Sequence, residues 1–196
     1  NMLSDDDFDE FTNGVLKSSA YLSETIDDFS NYFKNSIKNE FFNVKDIVKK
    51  AIQLTEPSLR NYDIDLINKT QENFKINGIK NELIQVILNL INNSKDAFKE
   101  NSIDYLQRTI FLEVKKDKTD ISISLKDNAG GIDENIIDKI FEPYFTTKHK
   151  SQGTGIGLYM SKQIIEEHFN GSLLVKNIYL ENKKGSCFSI IIPKVN

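Results

Sequence analysis

Three clusters in this 196-residue sequence hold residue types that could do chemistry. Asn89, Asn92, Asn93 and Asp96 sit in a run otherwise rich in Leu, Ile and Val. On a helix, Asn89 and Asn93 lie one turn apart and leave the same face. Buried amides are costly unless paired, and their oxygens suit a hard cation. Mg2+ takes few protein oxygens and fills its shell with water and phosphate oxygens. A solvent-facing polar stripe is the plain alternative. The second cluster is Asp127-Asn128-Ala129-Gly130-Gly131-Ile132. A carboxylate at a strand end followed by two glycines lets a backbone approach a flat ligand while the acid accepts an N–H. An ordinary turn uses the same residue types. The third is Gly153-Thr154-Gly155-Ile156-Gly157-Leu158, preceded by Lys148, His149 and Lys150. Glycines leading into a helix offer N–H groups to an anion, and the helix dipole assists. The run is neither a Walker A loop nor the Rossmann G-x-G-x-x-G, because Leu158 stands at the third glycine position.

Hydrophobic periodicity assigns the elements that must position these residues. Residues 3–38 read as one long helix from a Ser4 cap, with apolar positions from Phe8 to Ile37 spaced by three, four or seven. Such a narrow stripe needs a partner helix or a second copy of the chain. A second helix begins at Val44 and is expected to stop before Pro57. Short strands follow around Ile64–Leu66 and Phe74–Gly78, and the amide-bearing helix spans 81–100. The alternating runs Ile110/Leu112/Val114 and Ile121/Ile123/Leu125 form a hairpin. A helix is expected from about Thr154 to Phe169, then a strand pair near 172–179 and 186–192. Strands arriving mostly in adjacent pairs predict an α+β fold: a two-layer sandwich with a mixed, mainly antiparallel sheet and helices on one face.

Composition limits the function classes. The net charge is −4 with signs mixed, which gives nucleic acid no basic face. No apolar run reaches the roughly 18 residues of a membrane span, so no membrane contact is expected. The single Cys187 excludes a disulfide framework and points to a reducing, cytoplasmic compartment. Five of the nine glycines fall between Gly130 and Gly157. Asn1 before Met2 reads as an expression scar, and hence as an excised piece of a longer protein.

In their order, the motifs resemble the ATP-binding catalytic domain of sensor histidine kinases, within the GHKL ATPase superfamily. Asn89-Leu90-Ile91-Asn92-Asn93-Ser94 is similar to its N box and Asp127–Ile132 to its first glycine box. Phe141-Glu142-Pro143-Tyr144-Phe145 resembles the F box, and Gly153–Leu158 the second glycine box. The likeness covers Phe41 to Lys194. Leu22–Phe33 resembles the second helix of the family's dimerisation and phosphoacceptor hairpin, which gives two units, 3–38 and 41–196. Three positions depart from the pattern: Ala129 for glycine, Ser94 for alanine and Tyr144 for phenylalanine.

The resemblance implies ATP and Mg2+ as ligands. Asn93 would coordinate Mg2+, Asn89 would assist through the metal's waters or the phosphates, and Asp127 would accept the adenine amino group. Gly131 and Ile132 would flank the base, Lys148 would meet the terminal phosphate, and Gly153, Thr154, Gly155, Gly157 and Leu158 would cover the phosphates. The implied partners are a histidine-bearing helix of the same kinase, a response-regulator receiver domain and a homodimer mate. The phosphoacceptor histidine, which the family follows with an acid, is absent: His149 precedes Lys150 and His168 precedes Phe169. Hydrolytic relatives carry a Glu one turn before the magnesium Asn, where Asn89 has no basic site. Transfer to a histidine on a helix outside these residues is therefore expected. A hydrolytic ATPase and a non-catalytic dimerisation module are the alternatives.

Overall fold

A computed structural model describes residues 38–148, 154–180 and 182–194. The long helix expected over 3–38 lies outside them except for Lys38, as do His149, Lys150 and Gly153. From Lys38 onward the chain is one compact unit.

The unit opens with β1 (Glu40–Asn43), α1 (Val44–Arg60), β2 (Asp65–Asn68), β3 (Lys75–Gly78) and α2 (Lys80–Glu100). It continues with β4 (Thr109–Lys116), β5 (Asp120–Asp127), α3 (Gly157–Gln163), β6 (Ser172–Leu180) and β7 (Lys183–Pro193). Five strands form the main sheet in the order β2-β4-β5-β7-β6, while β1 and β3 pair apart as a two-stranded ribbon. Only β2 runs parallel to its neighbour β4; the other pairs are antiparallel. The sheet is thus mixed and mainly antiparallel, as strands arriving in adjacent pairs predict.

Alternation decides which face is buried. Ile110, Leu112 and Val114 on β4, Ile121, Ile123 and Leu125 on β5, Phe188, Ile190 and Ile192 on β7, and Leu173 on β6 carry most of the sheet's contribution to the core. Against them α2 lays Leu83, Ile87, Leu90, Ile91 and Phe98, all essentially without exposure. Each such side chain gains about 1.5–3 kcal/mol from burial, so α2 is held by packing rather than by a side-chain cap, which it lacks.

Two local expectations are corrected, and one strand is added to them. Pro57 lies inside α1, which continues to Arg60. Burial of Thr55 and Leu59 beside it, with Thr55 Oγ1 donating to the Ala51 carbonyl, outweighs the roughly 3 kcal/mol an internal proline costs. Residues 154–156 are not helical, and α3 starts only at Gly157. Gly155 has φ +66°, which no right-handed helix accommodates. A π-helical turn, Ile164–His168, then completes the element. The added strand is β1: Glu40–Asn43 carries no alternation, and its partner strand lies 35 residues on.

Candidate nucleotide site

Three rows of side chains converge at one end of the core. On β5, the inward row Ile121, Ile123, Leu125 continues to Asp127. On β7, the row Ile192, Ile190, Phe188 continues to Ser186. On α2, the buried stripe passes through Ser94 between Leu90 and Phe98. The periodicity that buries apolar residues elsewhere here buries a carboxylate and two hydroxyls. Asp127 is 2% exposed. Its Oδ2 accepts the hydroxyls of Ser94 and Ser186, both at 2.7 Å. Its Oδ1 accepts the backbone N–H groups of Ala129 at 3.0 Å and Ser186 at 3.1 Å. The four bonds match the roughly four lone-pair sites of a carboxylate, so a ligand N–H gains this acceptor by taking the place of a serine hydroxyl, which can turn aside.

Beyond Asp127 the chain turns through Gly130 and Gly131, both at positive φ. The turn is braced from outside its own sequence. Asn101, just past α2, donates to the Ala129 carbonyl at 2.6 Å. Asn177 on β6 accepts from the Ile132 N–H and donates to its carbonyl, both at 2.8 Å. The Cβ of Ala129, a departure from glycine, goes into the core, where the residue is 1% exposed. A Cβ on Gly131 would stand 2.7 Å from the Asn177 amide oxygen.

This turn, the polar face of α2 and the start of α3 enclose a cavity of about 490 Å³. Asn89, Asn93, Asp127, Gly131, Ile132, Lys148, Thr154, Gly155, Gly157 and Leu158 all line it. Of the candidate residues only Gly153 is not placed, being outside the described residues. Asn89 donates to Ser161 of α3 at 2.9 Å, and a Cβ on Gly157 would meet its amide oxygen at 2.6 Å. That glycine lets α3 close on α2. Asn93 has a buried amide nitrogen with no hydrogen-bond partner. Lys148 forms a 2.6 Å ion pair with Asp96.

Gly155 touches the segment before it. The Tyr144 N–H donates to the Gly155 carbonyl at 3.0 Å, and a Cβ on Gly155 would stand 2.6 Å from the Tyr144 carbonyl oxygen. Tyr144, itself at φ +65°, is 76% exposed. His168 lies away from the cavity, its Nδ1 2.7 Å from Glu82 at the start of α2. Ser186, Asn177, Asn101 and Ser161 were not singled out from sequence. Only the GS pair at Gly185-Ser186, opening a strand, could have marked one of them.

The model of the histidine kinase-, DNA gyrase B- and HSP90-like ATPases matches residues 78–196, more than half of the chain. The chain belongs to this ATPase family. Sporulation kinase A of Bacillus subtilis is 30% identical over 162 residues, covering 82% of this chain and 25% of that protein. The sensor histidine kinase ZraS of Salmonella typhimurium is 35% identical over 155 residues, 78% of this chain and 31% of that protein. The chain therefore spans a quarter to a third of the curated relatives it matches. Among solved structures, the catalytic domain of the histidine kinase ThkA superposes with a TM-score of 0.68 at 28% identity. That match covers 82% of this chain and all of that domain, so the ATPase-family fold here is the one found in histidine kinase catalytic domains.

Proposed function

We propose that this chain is the ATP-binding catalytic part of a sensor histidine kinase, and that it passes the terminal phosphoryl group of ATP to a histidine. One observation carries the reading: a single cavity gathers Asp127, Gly131, Asn93, Lys148 and the Gly155–Gly157 turn, residues far apart in sequence. It offers a buried acceptor, a glycine-lined turn, an amide and an ammonium group. A purine with its phosphates calls for that set of groups. The adenine amino group would share the Asp127 carboxylate, and Lys148 would meet the terminal phosphate.

The residues present fit Mg2+. Among the described residues no three His, Cys, Asp or Glu side chains group to hold a metal alone. The Asn93 amide, whose nitrogen the protein leaves unpaired, is an oxygen ligand of the kind Mg2+ accepts beside phosphate oxygens and water. The cation would supply charge neutralisation along the phosphates. Phosphoryl transfer asks for positioning and electrostatics more than covalent chemistry, so Asn93 and Lys148 orient the terminal phosphate for in-line attack by an imidazole nitrogen. Asn89 supports transfer over hydrolysis, because its amide is tied to Ser161 and cannot take a proton from water.

The relatives' names support a two-component setting. There the histidine lies on a helix of the same kinase, residues 3–38 are the second helix of its hairpin, and a homodimer assembles around it. A receiver domain of a response regulator accepts the phosphoryl group, in the cytoplasm. Among the described residues no helix is long and apolar enough to cross a membrane.

The test is thermal. A Mg2+-loaded non-hydrolysable ATP analogue at 100 times its Kd should stabilise the chain by about 2.7 kcal/mol, or roughly 5–10 °C for this size. Asn93→Ala and Asp127→Asn should reduce the shift. An unshifted wild-type protein overturns the nucleotide reading. Steady phosphate release without any histidine acceptor would overturn transfer in favour of hydrolysis.

A further inference from the structure

The cavity's charge is opposite to what a polyanion needs. Asp96, Glu100, Asp127 and Asp133 line it, and among the described residues Lys148 is its one cationic lining residue. That ammonium group is already engaged, with Nζ 2.6 Å from Asp96 Oδ2. Both side chains are largely sheltered, at 21% and 32% exposure, so the pair is screened less than a surface pair. Asp96 lies on α2 three residues past Asn93, on the same polar face. The root of Lys148 is fixed as well, since its N–H donates to Thr146 Oγ1 at 3.1 Å.

We propose that Asp96 is a specificity-determining residue that competes with the terminal phosphate of a nucleotide for Lys148, so that the site grades nucleotides by phosphate number. The inference rests on the nucleotide reading of the cavity given above. A ligand without the third phosphate, ADP included, leaves the Asp96–Lys148 pair in place. A triphosphate must exchange one charge-assisted bond for another, and Asp96 is left without its cation. The carboxylate thus subtracts from triphosphate affinity alone and keeps Lys148 pointed into the cavity when no phosphate is there. The exchange moves no covalent bond and no proton.

Isothermal titration of the full chain in excess Mg2+ tests this with a non-hydrolysable ATP analogue, ADP and adenosine. Asp96→Asn keeps the shape and an acceptor oxygen but removes the competing charge. It should tighten the ATP analogue about tenfold, the scale of one charge-assisted hydrogen bond, and change ADP and adenosine less than about twofold. In a Lys148→Ala background the same substitution should have no effect. Glu100→Gln removes an equal charge from the cavity without touching Lys148, so it should tighten the triphosphate clearly less than Asp96→Asn does, and equal tightening would overturn the proposal. Melting of the nucleotide-free variants checks that each folds. Weaker triphosphate binding by Asp96→Asn, equal tightening for ADP, or tightening that survives loss of Lys148 overturns the proposal. If the wild-type chain binds none of the three ligands, the nucleotide reading itself fails, and the two failures are told apart in the first titration.

Discussion

Replacing Asp127 separates its structural part from its ligand-binding part. In Asp127→Ala, the backbone N–H groups of Ala129 and Ser186 lose their acceptor in a region almost closed to solvent. Each orphaned buried donor costs about 1–3 kcal/mol, and the two serine hydroxyls can turn toward the cavity at little cost. The expected loss is about 2–6 kcal/mol, a large part of the 5–15 kcal/mol that ordinarily holds a domain together. Asp127→Asn should behave differently. Its amide oxygen can serve the two N–H groups, while its nitrogen faces hydroxyls that rotate to accept. Only the charge assistance is lost, roughly 1–2 kcal/mol. Urea unfolding of the nucleotide-free chain, followed by circular dichroism, should rank the proteins wild type, Asn, Ala at an unchanged m-value. Equal stability of the Asn and Ala variants, or a loss in Ala below about 0.5 kcal/mol, would refute the idea that this carboxylate holds the end of the core together. The ranking also guards against misreading. Loss of nucleotide binding in Asp127→Ala reports an unfolded turn as readily as a missing base contact, and only the Asn variant tests the latter.

Other substitutions probe the elements around the cavity. Gly155→Ala forces a Cβ onto a φ of +66° and against the Tyr144 carbonyl. The left-handed strain alone costs about 1–2 kcal/mol, so nucleotide-analogue affinity should fall roughly tenfold; unaltered titration curves would mean the turn is not part of the binding surface. Asn177→Ala removes both bonds to Ile132 and should cost about 1–3 kcal/mol in urea unfolding while weakening analogue binding. Glu113 gives a pH signature on the outer face of the sheet. Partial burial raises its pKa, but hydrogen bonds and charges from Lys115 and Lys126 outweigh that and leave it below the ordinary carboxylate value. A depressed carboxylate stabilises the fold above its unfolded pKa and loses that contribution as pH falls through its folded one. Glu113→Gln should therefore cost a few tenths of a kcal/mol at neutral pH and nothing once acid has protonated the wild-type group.

The elements legible in the sequence are those whose period repeats long enough to be seen. Six alternating apolar positions on β4 and β5 and the apolar stripe of α2 specify the hairpin, the long helix and the face each buries. The four residues of β1 are too few to show a period, and their pairing with β3 is a long-range event that local propensity does not encode. Pro57 misled because a helix tolerates the lost hydrogen bond when Thr55 and Leu59 are buried around it. At the cavity, the contiguous motifs were legible because each is a short run of unusual residues. Ser186, Asn177, Asn101 and Ser161 were not, since a single polar residue in a strand or past a helix end looks like any solvent-facing one. Their meaning comes only from what the fold sets beside them, the Asp127 carboxylate, the Ile132 backbone, the Ala129 carbonyl and the Asn89 amide.

The junction of β5 and β7 limits how this domain can be recombined. A Cβ at Gly185 would fall on the Asp127 carbonyl oxygen, and the next residue supplies two of the four donors to the Asp127 side chain. Residues 127–132 and 185–186, more than fifty positions apart, are thus one inheritable part. A chimera that imports the glycine turn of a relative without its matching pair on the last strand should arrive misfolded at that corner, however similar the two turns look on their own. Designers exchanging nucleotide loops between such domains would need to move both segments together.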